Sequence, residues 1–162
     1  MSEIIDLKPA QQKRVQRVRQ LAKLLDEAIL IPGTNKRIGL DPVIGLIPGG
    51  GDTVTMLMSA YIVVEAAILG IPATTLLQMV ENIVVDTLVG TVPVVGDLFD
   101  VVSKANMRNL KLLDAHLAEP EFRAKSDKLL VIFIVALLAI VIVSFGLMAA
   151  FLFSLVLKLF GG

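Results

Sequence analysis

Cysteine is absent from this 162-residue chain, which excludes disulfides, thiol nucleophiles and thiolate metal sites and leaves the redox compartment unread. Histidine occurs once. His116 lies on the polar end of a predicted helix, far from any serine in a suitable context, so a hydrolytic triad is not expected. Neither charge is in surplus, with 15 basic residues against 15 acidic ones, which argues against nucleic acid as the main partner. A phosphate loop is missing too. The run Pro48-Gly49-Gly50-Gly51-Asp52-Thr53 lacks the G-x4-G-K-[ST] pattern and sets an acid where an anion would approach. With no nucleophile-base pair and no strong metal-ligand cluster, the chain reads as a non-enzyme without a cofactor, a bound metal ion remaining open. The start is polar rather than a basic patch followed by an apolar run, so no cleavable signal peptide is expected.

Apolar residues, by contrast, make up 56% of the chain, and its mean hydropathy is +0.81. That is well above an ordinary soluble domain. No charge interrupts Leu129 to Leu157, which is longer than the roughly 20 residues a spanning helix needs. Tilt, or a kink near Ser144-Phe145-Gly146, could absorb the excess. Basic residues gather before the first apolar block (Lys8, Lys13, Arg14, Arg17, Arg19, Lys23) and again before the last (Lys104, Arg108, Lys111, Arg123, Lys125, Lys128). Under the positive-inside bias both regions face the cytoplasm. The expected location is a bacterial inner membrane with the N-terminus cytoplasmic.

The pattern D-x3-G-x2-P-x2-G-D occurs twice, as DPVIGLIPGGGD from Asp41 to Asp52 and as DTLVGTVPVVGD from Asp86 to Asp97. This is an internal repeat. The expected fold is all-α: a helical integral membrane protein with repeated helix-break-helix elements and a C-terminal transmembrane helix. Residues 1–31 form a basic amphipathic helix, 32–118 the repeat-containing membrane core with an amphipathic cytoplasmic helix, 119–128 a linker and 129–162 the last helix. Within the core, Thr53 to Leu69 and Ala73 to Val92 are joined by Gly70-Ile71-Pro72 into a membrane hairpin. Its two breaks, at Pro48, Gly49, Gly50 and Gly51 and at Pro93 and Gly96, then share the cytoplasmic end with the linker. Whether residues 38–48 re-enter the bilayer or lie on it is left open, since 11 residues cannot span it.

Candidate sites follow from polar groups in apolar surroundings. Gln78, Asn82 and Asp86 are spaced four apart and make a polar stripe on one helix face. Such a stripe either lines a path for monovalent or divalent cations, for which carboxylate and amide oxygens are suited, or bonds helices together. Asp52 and Asp97 each follow a glycine, so each caps a helix or forms part of a paired-carboxylate gate; Asp41 before Pro42 has the same two readings. Glu65 sits among Val63, Val64, Ala66 and Ala67 and requires protonation or a partner. Val15, Val18, Ala22, Leu25 and Ile29 share one face of the first helix. The basic residues Lys13, Arg14, Arg17 and Lys23 then present a lipid or partner surface, the helix lying on a bilayer, in an oligomer or against the rest of the domain. Gly146 and Ala150 offer a small-xxx-small contact for a homo-oligomer.

Residues 25 to 113 carry Ile31-Pro32-Gly33-Thr34, Gly39-Leu40-Asp41-Pro42, Gly45-Leu46-Ile47-Pro48-Gly49, Gly51-Asp52, Pro93-Val94-Val95-Gly96-Asp97-Leu98-Phe99-Asp100, Lys104-Ala105-Asn106 and Arg108-Asn109. In these motifs the chain resembles a family of small proteins, domain of unknown function 4112. The resemblance implies no particular activity or cofactor. Two function classes stand: a homo-oligomeric cation-conducting or cation-transporting path, or a non-transporting scaffold that oligomerises and recruits anionic lipid or a protein partner.

Overall fold

The structure is a computed structural model that describes residues 7–30, 32–33, 37–40, 43–44, 51–90, 104–119 and 125–160; within its helices the side chains of residues 52, 89, 90, 156, 159 and 160 lie outside the description. Among the described residues it is a helical protein: α1 (Pro9–Glu27), strands β1 (Ile29–Leu30) and β2 (Arg37–Ile38), then α2 (Gly51–Leu69), α3 (Ala73–Gly90), α4 (Ala105–Leu117) and α5 (Lys128–Phe160). The repeat breaks at Pro48, Gly49, Gly50, Pro93 and Gly96, with Asp41 and Asp97, fall outside the described residues.

Helix α1 begins with proline at its first position, and the Gln11 side chain accepts the Lys8 backbone N–H at 3.0 Å. The expected face of Val15, Val18, Ala22 and Leu25 is buried against α2 and α4, with Asp26 beside it. This is the third of the three placements open from the sequence. After α1 the chain folds back as an antiparallel pair, Ile29 opposite Ile38 and Leu30 opposite Arg37, which two-residue strands are too short to announce as alternation. Gly39 then passes so close to α1 that a Cβ there would lie 1.3 Å from the Leu25 carbonyl oxygen.

Helices α2 and α3 form the expected hairpin about Gly70, whose φ of +90° suits glycine. α4 packs antiparallel on both α1 and α3, and α5 packs on α2 and, less extensively, on α3. Three layers result. α1 and α4 lie on one side, α2 and α3 in the middle, α5 on the other, and the core runs through Ile62, Val63, Leu76, Met79, Leu113 and Ile134.

The described end of the linker lies at the closed end of the hairpin. Lys125 stands at the Gly70 turn, its backbone oxygen 2.5 Å from where a Gly70 Cβ would be, rather than at the open end of the hairpin. The reason is that α4 carries the chain back along the bundle before α5 begins. Asp127 caps α5, its Oδ1 accepting the N–H groups of Leu129 and Leu130 at 2.9 and 3.3 Å. Helix α5 then returns along α2. It is the one described helix long and apolar enough to cross a membrane, over Lys128–Leu155; the apolar run Thr53–Leu69 is shorter.

Candidate functional site

Polar side chains meet between the helices, and each helix orients them by the register in which it packs. On the α1–α2 contact, Arg14 Nη1 donates to Glu65 Oε2 at 2.7 Å, with the Glu65 side chain 5% exposed. The Tyr61 hydroxyl is within hydrogen-bonding reach of the same carboxylate. Glu65 thus has the partner its burial requires, a cation supplied by α1. Pairing at the end of α2 near Gly70 with the start of α1 also fixes these two helices as antiparallel.

Between α1 and α4, Arg19 donates to Asp114 Oδ1 through Nη2 at 2.7 Å and Nε at 3.2 Å. Further along, Asn106 Nδ2 donates to Asp26 Oδ1 at 2.9 Å and the Met107 backbone N–H to Asp26 Oδ2 at 2.8 Å. Asp26 is therefore an N-terminal cap supplied to α4 by another helix, since Lys104 at the cap position makes no side-chain cap bond. Burial pushes the Asp26 carboxyl above the usual aspartate range, against the opposing pull of Asn106, Met107 and Lys104. Lys104 Nζ donates to Glu27 Oε1 at 2.9 Å beside it. Sequence reasoning passed over Asp26. The available signal was two acids in the last turn of a helix, where the helix dipole disfavours them.

On the α3–α4 contact, Asn82 Nδ2 donates to Asn109 Oδ1 at 2.8 Å and Asn109 Nδ2 to the Met79 carbonyl at 3.1 Å. The middle of the polar stripe is turned to α4, while Gln78 is exposed and Asp86 is half-buried and engaged. His116 is half-buried: its Nδ1 lies 3.1 Å from the Leu112 carbonyl, to which it donates, and its Nε2 lies 3.2 Å from the Thr75 hydroxyl.

Of the expected lipid or partner surface, Lys13, Arg17 and Lys23 are exposed on α1 and Arg14 is held by Glu65. The described acids of α1 and α4, Asp26, Glu27 and Asp114, all face partners on the opposing helix. Gly51 opens α2 and is buried; Asp52 follows in the same helical turn. No group of three or more His, Asp or Glu side chains that could hold a metal ion occurs among the described residues.

No curated protein and no solved structure is significantly similar to the chain. A family model does match, from residue 14 to residue 117, and so takes in most of α1 as well as the motifs of the hairpin and α4. That is more than half of the chain, which therefore belongs to the family described as Domain of unknown function (DUF4112).

Proposed function

We propose that this protein is a membrane-anchored helical scaffold, in which α5 holds the bundle of α1 to α4 on a bilayer and the interhelical polar residues join helices rather than conduct ions. The observation that carries this reading is the division of α5. Its first half packs one face on the bundle through Ile134 and Leu138 and leaves Leu129, Ile132, Phe133 and Ile140 57 to 78% exposed on the other, whereas from Gly146 onward all its described side chains are uncovered, Leu147 at 68% and Phe151 and Phe153 at 66% exposure. Fifteen residues from 146 to 160 extend about 22 Å, so the bilayer takes in the last turn or so of the packed half as well. Ser144 and Ser154 suit that setting, since each hydroxyl donates to a carbonyl of its own helix, Ile140 and Phe151, at 2.7 Å. A Cβ on Gly146 would meet nothing within 4 Å, so the Gly146 and Ala150 surface is open to a second copy of the helix. The basic residues before α5 favour a cytoplasmic bundle in a bacterial inner membrane.

A cation path would need Gln78, Asn82 and Asp86 on one channel. Asn82 is instead bonded to Asn109, and Glu65 is neutralised by Arg14. The test is flux of K+, Na+, Mg2+ and Ca2+ into liposomes holding inserted, assembled protein. Background flux for every ion is expected. Selective flux that Asp86→Asn changes would overturn the scaffold reading in favour of the path.

A further inference from the structure

We propose that the end of the bundle from which α5 emerges is a docking rim for the anionic bilayer interface, made of Lys23, Leu24, Ile29, Leu30, Arg37 and Val43. The inference rests on the anchor reading and extends it to a second membrane contact. Three observations place the rim. Helix α1 is antiparallel to α2, because Arg14 near its start meets Glu65 near the end of α2. Helix α5 starts where α2 ends, at the contact of Lys125 with Gly70, and its packed stretch from 128 to 145 covers about 27 Å, close to the length of α2. The bare half of α5 and the last turn of α1 therefore share one end of the molecule.

That end is amphipathic on its surface. Leu24, Ile29, Leu30 and Val43 are 45 to 52% exposed; the β1–β2 pair and the Leu40 N–H, donating to the Leu24 carbonyl at 3.1 Å, set the strands on α1, and the Ile44 N–H donating to the Leu40 carbonyl at 2.8 Å ties the turn that carries Val43 to them. Lys23 and Arg37 are exposed among them. Large aliphatic side chains interleaved with basic ones favour the headgroup boundary of an anionic membrane. A protein groove would satisfy the aliphatics alone; the bilayer is preferred because α5 enters it at the same end. Lys13 stands about 15 Å up α1 from Lys23, beyond the roughly 8 Å screening length of physiological salt, and contributes little to this contact.

Since the chain has no cysteine, single cysteines report position without background. The full chain is reconstituted in vesicles of phosphatidylcholine with and without phosphatidylglycerol, with a polarity-sensitive fluorophore on Leu30→Cys, on Val43→Cys as a second rim reporter, on Leu152→Cys in the bare half of α5, or on Ala118→Cys at the opposite end. Nitroxide lipids should quench the rim labels from shallow depth and Leu152→Cys from deep, leaving Ala118→Cys bright. Combining Lys23→Glu with Arg37→Glu should lower the docked-to-undocked ratio more than tenfold in the anionic vesicles, at about fivefold per basic residue, and leave the neutral vesicles unchanged. Rim labels as bright as Ala118→Cys beside a quenched Leu152→Cys overturn the rim alone. An unquenched Leu152→Cys overturns the anchor reading with it. Rim labels shielded from aqueous iodide but insensitive to nitroxide lipid indicate a protein contact and also overturn the proposal.

Discussion

Glu65 illustrates what one residue can and cannot disclose. Its apolar neighbours in the chain show that its burial needs a partner, but the partner is a residue of α1 that no local spacing could identify. Removing Arg14 leaves a 5% exposed carboxylate without its ion-pair partner, beside the Tyr61 phenol. Because Arg14 itself is about one-third exposed, Arg14→Ala is expected to cost about 2 kcal/mol, below the cost of breaking a fully buried pair. Combined with Glu65→Ala, it should show a coupling energy of about 1 kcal/mol or more in a double-mutant cycle read by unfolding in detergent. Asp26 makes a prediction of opposite kind. The folded chain holds the Asp26 proton more tightly than the unfolded one, so this residue favours folding while protonated, and that advantage is lost as pH rises from the ordinary value of 3.8 through the elevated folded value. The stability of the wild type relative to Asp26→Asn should therefore fall across that window and level off above it. A difference that grows with pH would show that the bonds from Asn106 and Met107 outweigh the cost of burial.

At the scale of elements, periodicity carried most of the information. The face of α1, the hairpin turn at Gly70-Ile71-Pro72 and the long C-terminal helix were legible because 3.6-residue spacing, glycine, proline and uninterrupted apolar runs are local signals. The β1–β2 pair was not, being two residues a side, and neither was the cap that Asp26 gives α4, whose donor and acceptor lie on different helices. Polar positions such as Asn82 were visible as a stripe, yet spacing alone left both bonding and conduction open. Gly70 was legible as a turn but not as the point where the start of α5 is pressed against the hairpin. Gly70→Ala combines a positive φ with a clash against the Lys125 backbone. Its expected cost is about 2 to 5 kcal/mol, the sum of left-handed strain and overpacking. Freed by the substitution, the segment before α5 should become more susceptible to protease near Lys125; unchanged stability and cleavage would mean that the two segments are not coupled.

For the whole molecule, the decisive fact is direction. Helix α4 returns the chain to the Gly70 end, and α5 therefore sets out from the closed end of the hairpin and leaves the bundle at its open end. No pattern in the sequence reports which end of a bundle a linker reaches, which is why the lengths and charges alone suggested the other arrangement. The exposed charges of α1 along the bundle, Lys13, Arg17 and Lys23, fit a domain standing on a membrane better than one immersed in it. The most direct test is alkaline carbonate extraction of membranes carrying the full chain or a chain ending at Phe145. The account predicts that the full chain stays with the bilayer and the shortened chain is released more readily, since the described side chains from 146 onward are all exposed whereas residues 128–145 pack one face on the bundle. Equal retention of both would contradict it and show that residues 146–160 are not what holds the chain on the bilayer.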